Sequence, residues 1–303
     1  MADEEKAISH INHKIKNGEA TILTDEELVE GVQKGRDFKL SDVDVVTTSC
    51  QVASSGAAAM LCVPVAGQGV FTRAKKIWLN DVPGFPGPAP NERLGLVDTL
   101  VFADQQAIDR QGNYNGAKLI WDIIRREEIQ VECLSVEGDT YESSFTLDQV
   151  EFARMYVYNS FFKKLCAQNK SASKNNHLKT IRAGSKILLN GAKGIVVGCG
   201  TRSAPGNRSL SLAADMFEMD PTNIMEFNTD SGMAITYSVA LAIPVVTEEV
   251  LNELVECLVD ESTQASEDHI YHLEKAVAEH LKQRISEGEF LLISSDMNLN
   301  HWF

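Results

Sequence analysis

The segment VDVVTTSCQVASSG, residues 43–56, is the most informative part of the sequence: it contains a predicted buried strand and the first candidate reactive residues. Val43 to Thr48 is predicted to be a buried strand because β-branched residues dominate it. The strand runs into small, hydroxyl-rich residues that end at Gly56, with one thiol at Cys50. Amides and hydroxyls at a strand end can hold an oxyanion, and a thiol near a helix start becomes nucleophilic. The alternative is a packing turn with an inert, buried cysteine.

Strands and helices alternate irregularly on either side of this segment. Further predicted strands cover 76–79, 96–102 and 129–136, and a hairpin over 185–197 turns at the dipeptide Asn190-Gly191. Predicted helices include one with a capping box at Thr24 to Glu27, and others over 115–126, about 148–162, 248–259 and 267–285. The pattern predicts an α/β or α+β domain, with a mixed sheet, flanking helices and a C-terminal acidic helical pair. We expect a core domain over 1–246 and a helical extension over 247–303 packed on it.

The charge balance excludes two classes of partner. The 303 residues include 28 Lys or Arg and 43 Asp or Glu, a formal net charge of −15. Such a chain is not a generally basic nucleic-acid binder, nor is it attracted to anionic membranes. No apolar run reaches the roughly 20 residues that span a bilayer, and the acidic start lacks signal-peptide features. We therefore expect no nucleic-acid partner and no membrane partner.

The cysteines and the distribution of charge refine this reading. Six cysteines, none spaced as C-x-x-C, predict free thiols in a reduced, cytoplasmic protein. Residues 153–210 contain no Asp or Glu but 11 Lys or Arg, whereas 247–289 contain 12 acidic and 3 basic residues. The acid-free stretch suits a small anionic ligand. The acidic tail is typical of a solvated face.

A proline run marks a second candidate region. Four of the eight prolines fall within residues 83–90, which predicts a stiff, extended loop that is neither helix nor central strand. Asn80 and Asp81 precede the run, and Asn91 and Arg93 follow it. Arg93 can clamp a carboxylate or sulfonate through two hydrogen bonds. A local network that pins the loop is the alternative.

A glycine-rich segment, GCGTRSAPG at 198–206, marks a third region. Its glycines let backbone amides approach an anion, and Arg202 adds positive charge. It begins like a dinucleotide-binding fingerprint, but Ser203 replaces the third glycine and Pro205 sits where a helix should open. The segment therefore favours a small anionic substrate over a dinucleotide.

Five segments together resemble one known family. In chain order they are INHKIKNGEATILTDEEL, VDVVTTSCQVASSGAAAM, RAKKIWLNDVPGFPGPAPNERLG, IRAGSKILLNGAKGIVVGCGTRS and AIPVVTEEVL. They resemble the homocysteine-biosynthesis family of anaerobes, the L-aspartate semialdehyde sulfurtransferase group. The resemblance covers most of residues 8–255. The RAKKIWLNDVP, PNERLG and GTRS segments are most similar to its methanogenesis-marker branch, which is linked to making coenzyme M from sulfoacetaldehyde.

The resemblance implies thiol formation at an aldehyde carbon. Sulfur, carried as sulfide or as a cysteine persulfide, adds to the carbonyl of a small anionic aldehyde, and a reduction gives the free thiol. This chemistry needs a thiolate, donors for the developing alkoxide and a positive group for the substrate's acid. The implied catalytic residues are Cys50, Cys133 and Cys199. The implied substrate-binding residues are Thr48, Ser54, Ser55, Gly56, Asn80, Asp81, Asn91, Arg93, Thr201, Arg202 and Ser203.

The chain departs from the family's pattern in three places. The family's cysteine before Ser-Ser-Gly is replaced by Ala53. The segment Gly138 to Ser143 contains no cysteine, and the nearest one is Cys133. Acidic helices stand where family members often carry regulatory or ferredoxin modules. The expected partners are a sulfur donor, a separate electron-donor protein and further copies of the chain in a homo-oligomer.

Two other functions are compatible with the same residues. The first is an iron–sulfur protein in which Cys50 and Cys199, with Cys133 or Cys166, bind a cluster; no spacing supports it, so the ligands would have to converge in space. The second is a non-catalytic partner subunit whose acidic helices at 248–285 dock a basic protein.

Overall fold

The computed structural model describes residues 6–87, 90–103, 109–110, 112, 114–160, 180–181, 183–201, 208–229, 232–262 and 269–292. Fourteen strands and five α-helices lie in these ranges. The helices are α1 (Ile8–Lys16), α2 (Asp25–Gln33), α3 (Gly116–Ile124), α4 (Glu248–Ser262) and α5 (His269–Ser286). The strands are β1 (Ile22–Thr24), β2 (Val45–Ala53), β3 (Ala57–Pro64), β4 (Ala74–Leu79), β5 (Val82–Pro86), β6 (Leu96–Phe102), β7 (Ile129–Ser135), β8 (Thr140–Phe145), β9 (Ala153–Ser160), β10 (Lys186–Leu189), β11 (Ala192–Thr201), β12 (Arg208–Asp215), β13 (Ile224–Thr229) and β14 (Gly232–Pro244).

The strands form one mixed sheet. Its hydrogen-bonded order is β1-β2-β14-β10-β11-β12-β9-β3-β6-β5-β4-β7-β8, and β13 pairs with β14 beside this path. Within the described ranges, β1–β2 is the one parallel pair and the other ladders are antiparallel. The predicted mixed α/β class is confirmed.

Strand β2 has two faces with different neighbours. It pairs with β14 over an unbroken ladder in which Cys50 lies opposite Val239 and Gln51 lies opposite Ser238. Because side chains alternate along a strand, Cys50 and Gln51 project from opposite faces of the sheet. Helix α5 packs on the face of Gln51 and Ser49, where the Ser49 hydroxyl donates to the backbone carbonyl of Glu274 at 2.5 Å. The Glu274 carboxylate also accepts the backbone amide of Gln51 at 3.0 Å. Cys50 is therefore on the face away from α5.

The start of α2 anchors α5 as well as its own first turn. The predicted capping box is confirmed: Thr24 Oγ1 accepts the Glu27 amide at 3.1 Å, and the Glu27 carboxylate accepts the Thr24 amide at 2.8 Å. Lys275 and Lys282 of α5 pair with Glu26 and Glu27. Helices α4 and α5 are the last two described elements, and two basic residues of α5 face the acidic start of α2.

The predicted hairpin over 185–197 is confirmed. β10 and β11 pair antiparallel through Leu189 and Ala192, which leaves Asn190 and Gly191 as a two-residue turn. Both turn residues have positive φ, 48° and 81°. A turn of this kind needs that backbone conformation at both positions, and Asn-Gly adopts it at low cost.

The helix predicted over about 148–162 is wrong, because strand β9 occupies Ala153–Ser160. Ala153, Met155 and Val157 are buried, whereas Arg154 and Tyr156 between them are half-buried. This alternation has a period of two, which suits a strand between β12 and β3. Tertiary pairing on both sides of the segment overrode its local helical appearance.

The proline run is also more structured than predicted. Val82–Pro86 forms β5, which pairs with β4 through Val82 to Gly84 and with β6 through Phe85 and Pro86. β5 pairs with β4 along its first residues and with β6 along its last ones. The backbone N–H that each proline lacks is therefore missing from at most one ladder. The expectation of a loop outside any central strand is therefore wrong for residues 82–86.

None of the described helices is long and apolar enough to cross a bilayer.

Candidate functional site

The turn Ser54–Gly56 lies where several strands end together. Ala57, the first residue of β3, pairs with Val157 near the end of β9. Its neighbour Ala58 pairs with Phe102, the last residue of β6. The ends of β2, β6 and β9 and the start of β3 therefore meet around this turn. Ser54 and Gly56 are buried, and Ser55 is exposed.

The same end of the sheet carries the strands that flank the glycine-rich segment. Leu210 of β12 pairs with Ser160 at the end of β9, and Thr201 of β11 pairs with Arg208. The backbones on both sides of 202–207 are thereby on the same edge as Ser54–Gly56. The topology groups the first and third candidate regions, which lie about 150 residues apart in the sequence.

Cys50 lies three residues before Ala53 on the face of β2 away from α5. It is a buried cysteine outside any disulfide, with 5 % of its surface exposed. Thr48 projects from the same face two residues earlier, and its hydroxyl donates to the Asp25 carboxylate at 2.7 Å. Thr48 thus ties β2 to the start of α2. Ala53, at the end of the strand, is exposed.

Four unpartnered polar groups surround this part of β2 and β14. The side-chain amide of Gln51 and the hydroxyls of Thr236 and Ser238 are buried on the α5 face without a hydrogen-bond partner. The hydroxyl of Tyr237 is buried without a partner on the Cys50 face. Buried polar groups are normally paired, so such a concentration is unusual in a folded protein.

Asn80 and Asp81 form the turn between β4 and β5. Their φ angles are 47° and 63°, and Leu79 pairs with Val82 across them, as in a two-residue hairpin. The Asn80 side chain accepts the Gln130 amide at 2.8 Å and donates to the Tyr114 hydroxyl at 3.3 Å. These contacts hold the turn against β7 and the residues before α3.

A cavity of about 470 Å³ opens beside this turn. Four carboxylates line it, and Arg110 pairs with two of them, Glu132 at 2.8 Å and Asp81 at 3.5 Å. The lining residues are Asn80, Asp81, Asp109, Tyr114, Gln130, Val131, Glu132, Glu142 and Ser143. This excess of negative charge disfavours an anionic substrate, although Asn80 and Asp81 were predicted to bind one.

Asn91 and Arg93 lie on a short helical turn, Pro90–Leu94, and face different surroundings. The Asn91 amide donates to both carboxylate oxygens of Asp98, at 3.2 and 3.1 Å, and lies 3.9 Å from the Cys62 sulfur. Burial and the Asp98 carboxylate raise the pKa of Cys62 to about 12. Arg93 is exposed. Cys62 had no motif to mark it in the sequence, and only the pairing of β3 with β6 places it beside Asp98.

Cys133 is a buried thiol in β7. It pairs with Ile77 and Tyr141 on the neighbouring strands. Burial and the charge of Glu92 raise its pKa to about 11, so the residue is a neutral thiol near pH 7. The reactive form of cysteine is the thiolate, which this environment disfavours. No contact of the described residues joins Cys133 to Cys50.

Part of the predicted site falls outside the described residues. Arg202, Ser203 and Cys166 lie there, and for Cys199 and Thr201 only the backbone is described. Cys199 pairs with Leu210 in the β11–β12 ladder. Within the described ranges, no three His, Cys, Asp or Glu side chains converge as metal ligands. The iron–sulfur alternative, which includes Cys199 and Cys166, stays a prediction.

Tyr237 lies near Cys50 but is not among the site residues that the sequence predicts. It lies in the long, mostly apolar run 232–246. Such a run predicts a buried core segment, so a single hydroxyl within it does not indicate a functional site. Its position became informative only when the β2–β14 register placed it on the Cys50 face.

Comparison with known proteins agrees with the resemblance of the segments. A family model described as "Homocysteine biosynthesis enzyme, sulfur-incorporation" matches residues 20–175 and 172–267. The chain belongs to this family. The match covers every element from β2 to β14, and it includes the Ser54–Gly56 turn and the glycine-rich segment.

Individual relatives of this sulfur-incorporation family come from methanogens. An uncharacterized protein of Methanothermobacter thermautotrophicus is 32 % identical over 281 residues, which cover 82 % of this chain and 65 % of the relative. The L-aspartate semialdehyde sulfurtransferases of Methanosarcina acetivorans and Methanocaldococcus jannaschii are each 26 % identical, over 82 % and 81 % of this chain and 55 % of each relative. The chain thus spans between half and two thirds of the length of these relatives. No solved structure matches it significantly.

Proposed function

We propose that this protein transfers sulfur to the carbonyl carbon of a small anionic aldehyde, with Cys50 as the reacting thiol. Membership of the sulfur-incorporation family supports sulfur transfer. The names of two relatives support an aldehyde of the aspartate semialdehyde type as substrate. Sulfoacetaldehyde is the second substrate of this class, because the chain also resembles the coenzyme M-forming branch.

The observation that carries the assignment of the site is the meeting of strand ends around Ser54–Gly56. Cys50 is the nearest described cysteine to this turn along the chain. The same edge carries Thr201 and Arg208, which flank the segment containing Arg202. A guanidinium on this edge would hold the acid group of the substrate. At the acidic cavity beside Asn80, the Arg110 guanidinium is already paired with Glu132 and Asp81.

The reaction balances with one external reductant. An aldehyde, hydrogen sulfide, two protons and two electrons give the thiol and water: R–CHO + H₂S + 2 H⁺ + 2 e⁻ → R–CH₂–SH + H₂O. The new C–S bond forms at the carbonyl carbon, and the carbonyl oxygen leaves as water. A separate electron-donor protein supplies the electrons in the cell. The protein's own task is to bring sulfur and carbonyl together and to stabilise the charge on oxygen.

The test is an anaerobic assay of the purified protein. Sodium sulfide, titanium(III) citrate as reductant and either aspartate semialdehyde or sulfoacetaldehyde are added, and the thiol product is quantified by mass spectrometry. We expect product from at least one of the two, and much less from propanal, a neutral aldehyde. Absence of thiol from both anionic aldehydes would overturn the proposed function.

The matched control for the site is a second buried thiol. Cys50→Ser is expected to lower product formation by about 100-fold, because a serine hydroxyl cannot replace the thiolate at the reacting carbon. Cys62→Ser should leave the rate within about twofold, since that thiol is held protonated beside Asp98, away from the turn. Equal rates in the two variants would remove Cys50 from the mechanism while leaving the activity itself in place.

A further inference from the structure

The hydroxyl of Tyr237 is a hydrogen-bond donor without a partner in the interior of the sheet. The side chain is fully buried, at 0 % exposure, and its oxygen makes no hydrogen bond. Buried tyrosine hydroxyls usually find a partner, and an unpaired one destabilises the folded state. A phenylalanine would fill the same space without that penalty. No hydrogen bond of the fold therefore accounts for this hydroxyl.

The ladder places Tyr237 beside Cys50. Val239 lies directly opposite Cys50, and Tyr237 is two residues from Val239 on the same face. Such diagonal neighbours are about 7–8 Å apart at the backbone, within reach of an aromatic side chain. Directly opposite Tyr237 is Val52, which has no polar side-chain atom. A substrate that reaches this face would supply the missing acceptor.

Solvent reaches the chain close to these residues. Ser55, in the turn that follows β2, is exposed and lies five residues from Cys50 along the chain. Ala53 is also exposed, but it lies opposite Thr236 on the α5 face. Tyr237 and Cys50 thus lie just inside the edge where the strand ends meet.

The geometry points to Tyr237 as a further catalytic residue, whose hydroxyl donates a hydrogen bond to the carbonyl oxygen of the substrate that reacts at Cys50. This inference rests on the proposed sulfur transfer. When sulfur adds, its electron pair forms the C–S bond and the carbonyl π pair moves onto oxygen. Tyr237 binds that oxygen as it becomes an alkoxide, which then takes a proton from water. A donor aimed at the developing charge, with no competing acceptor, acts as an oxyanion hole.

The protonation state of Tyr237 suits this role. Burial raises the pKa of its hydroxyl, so the O–H proton stays in place throughout the neutral range. No charged side chain of the described residues contributes to that shift. The group is therefore a constant neutral donor rather than a base.

The test compares two hydroxyl deletions on adjacent residues of β14. Tyr237→Phe removes the hydroxyl on the Cys50 face, and Thr236→Val removes an equally unpartnered hydroxyl on the α5 face. Because neither hydroxyl is bonded, neither variant should melt below the parent protein. In the thiol-forming assay, Tyr237→Phe should lower kcat by about 100-fold with KM within about threefold, as for loss of an oxyanion donor. Thr236→Val should keep the parent rate.

Equilibrium dialysis of the aldehyde, without sulfide or reductant, gives a readout independent of turnover. Binding should weaken about threefold in Tyr237→Phe and stay unchanged in Thr236→Val, as one neutral hydrogen bond is lost. Parent-like kcat and binding in Tyr237→Phe would overturn this role while leaving sulfur transfer intact. A lower melting temperature with parent-like kcat would assign the hydroxyl to structure. If the parent protein neither forms thiol nor binds either aldehyde, both proposals fall together.

Discussion

Substitution of Asp44 by asparagine is expected to loosen the anchor of β2. Asp44 directly precedes this strand, and its side chain is 1 % exposed. Its carboxylate accepts from Lys6 at 3.0 Å, from Lys14 at 2.9 Å and from the amide of Thr21 at 3.0 Å. One buried carboxylate thereby holds the N-terminal segment, α1 and the residue before β1 against the strand that carries Cys50.

The magnitude follows from these contacts. Breaking a buried ion pair by removing one partner costs about 3–5 kcal/mol. The side chains of Lys6 and Lys14 are 14 % and 26 % exposed, so both ammonium groups regain some water when the charge disappears. Asparagine also keeps an oxygen for the Thr21 amide. We therefore expect a loss of about 3 kcal/mol, at the low end of that range. For a chain of 303 residues this corresponds to a fall in Tm of about 5 °C.

The pH dependence of the effect provides an internal check. Burial by itself would raise the pKa of Asp44, but the Thr21 amide, Lys14 and Lys6 outweigh it and hold the pKa below its ordinary value. A carboxyl group whose pKa is lowered by folding stabilises the protein above its unfolded pKa, and this stabilisation disappears as the pH falls through the folded pKa. The gap between the parent and Asp44→Asn should therefore be constant near neutrality and close in strong acid.

Differential scanning calorimetry at pH 7, repeated at decreasing pH, measures both quantities. The control is Glu30→Gln, which removes an exposed pair with Lys34 of equally short distance, 2.7 Å. Exposed pairs contribute under about 1 kcal/mol, so this variant should melt within about 1 °C of the parent. If Asp44→Asn melts as high as Glu30→Gln at pH 7, burial does not make the ion pairs of Asp44 more stabilising than an exposed pair.

Three further predictions concern the backbone and the thiols. Gly95→Ala should lower Tm by at least about 5 °C, because Gly95 has φ +85° and an added Cβ would lie 1.9 Å from the carbonyl oxygen of Ala66; a Tm near the parent's would contradict this. Ser238→Ala should raise Tm by about 1–2 °C, since it deletes a buried, unpartnered hydroxyl; a fall would show that the hydroxyl is bonded. Cys62 and Cys133, with pKa values raised to about 12 and about 11, should react with Ellman's reagent at pH 8 at least 10-fold more slowly than in urea-unfolded protein, and equal rates would contradict the protected environment.

The two faces of β2 have different proposed roles. One face holds Cys50 and Tyr237, and the other receives α5 through Glu274. A strand of alternating side chains can support chemistry on one side and anchoring on the other without either set displacing the other. Changes to the contacts of α5 are therefore expected to act on stability before they act on Cys50.

Local signals in the sequence were enough for several elements. The Thr24–Glu27 capping box and the Asn190-Gly191 turn are each specified by residues within a few positions of one another, and both are confirmed. The predicted helix over about 148–162 failed because the pairing of β9 with β12 and β3 involves partners 50 or more residues away. In β9, the hydrogen bonds of two ladders replace the local ones that a helix would make.

The site shows the same division between local and distant causes. The family resemblance and Cys50 were readable from short motifs, and the family is confirmed. Short-range patterns were sufficient for the capping box, the Asn-Gly turn and the sulfur-incorporation family, but not for β5 or β9. Only the tertiary structure decided that Ser54–Gly56 and the ends of β11 and β12 share one edge, and that Tyr237 accompanies Cys50. Register between strands distant in the chain sets such neighbours, and it depends on the burial of the whole sheet rather than on any local pattern.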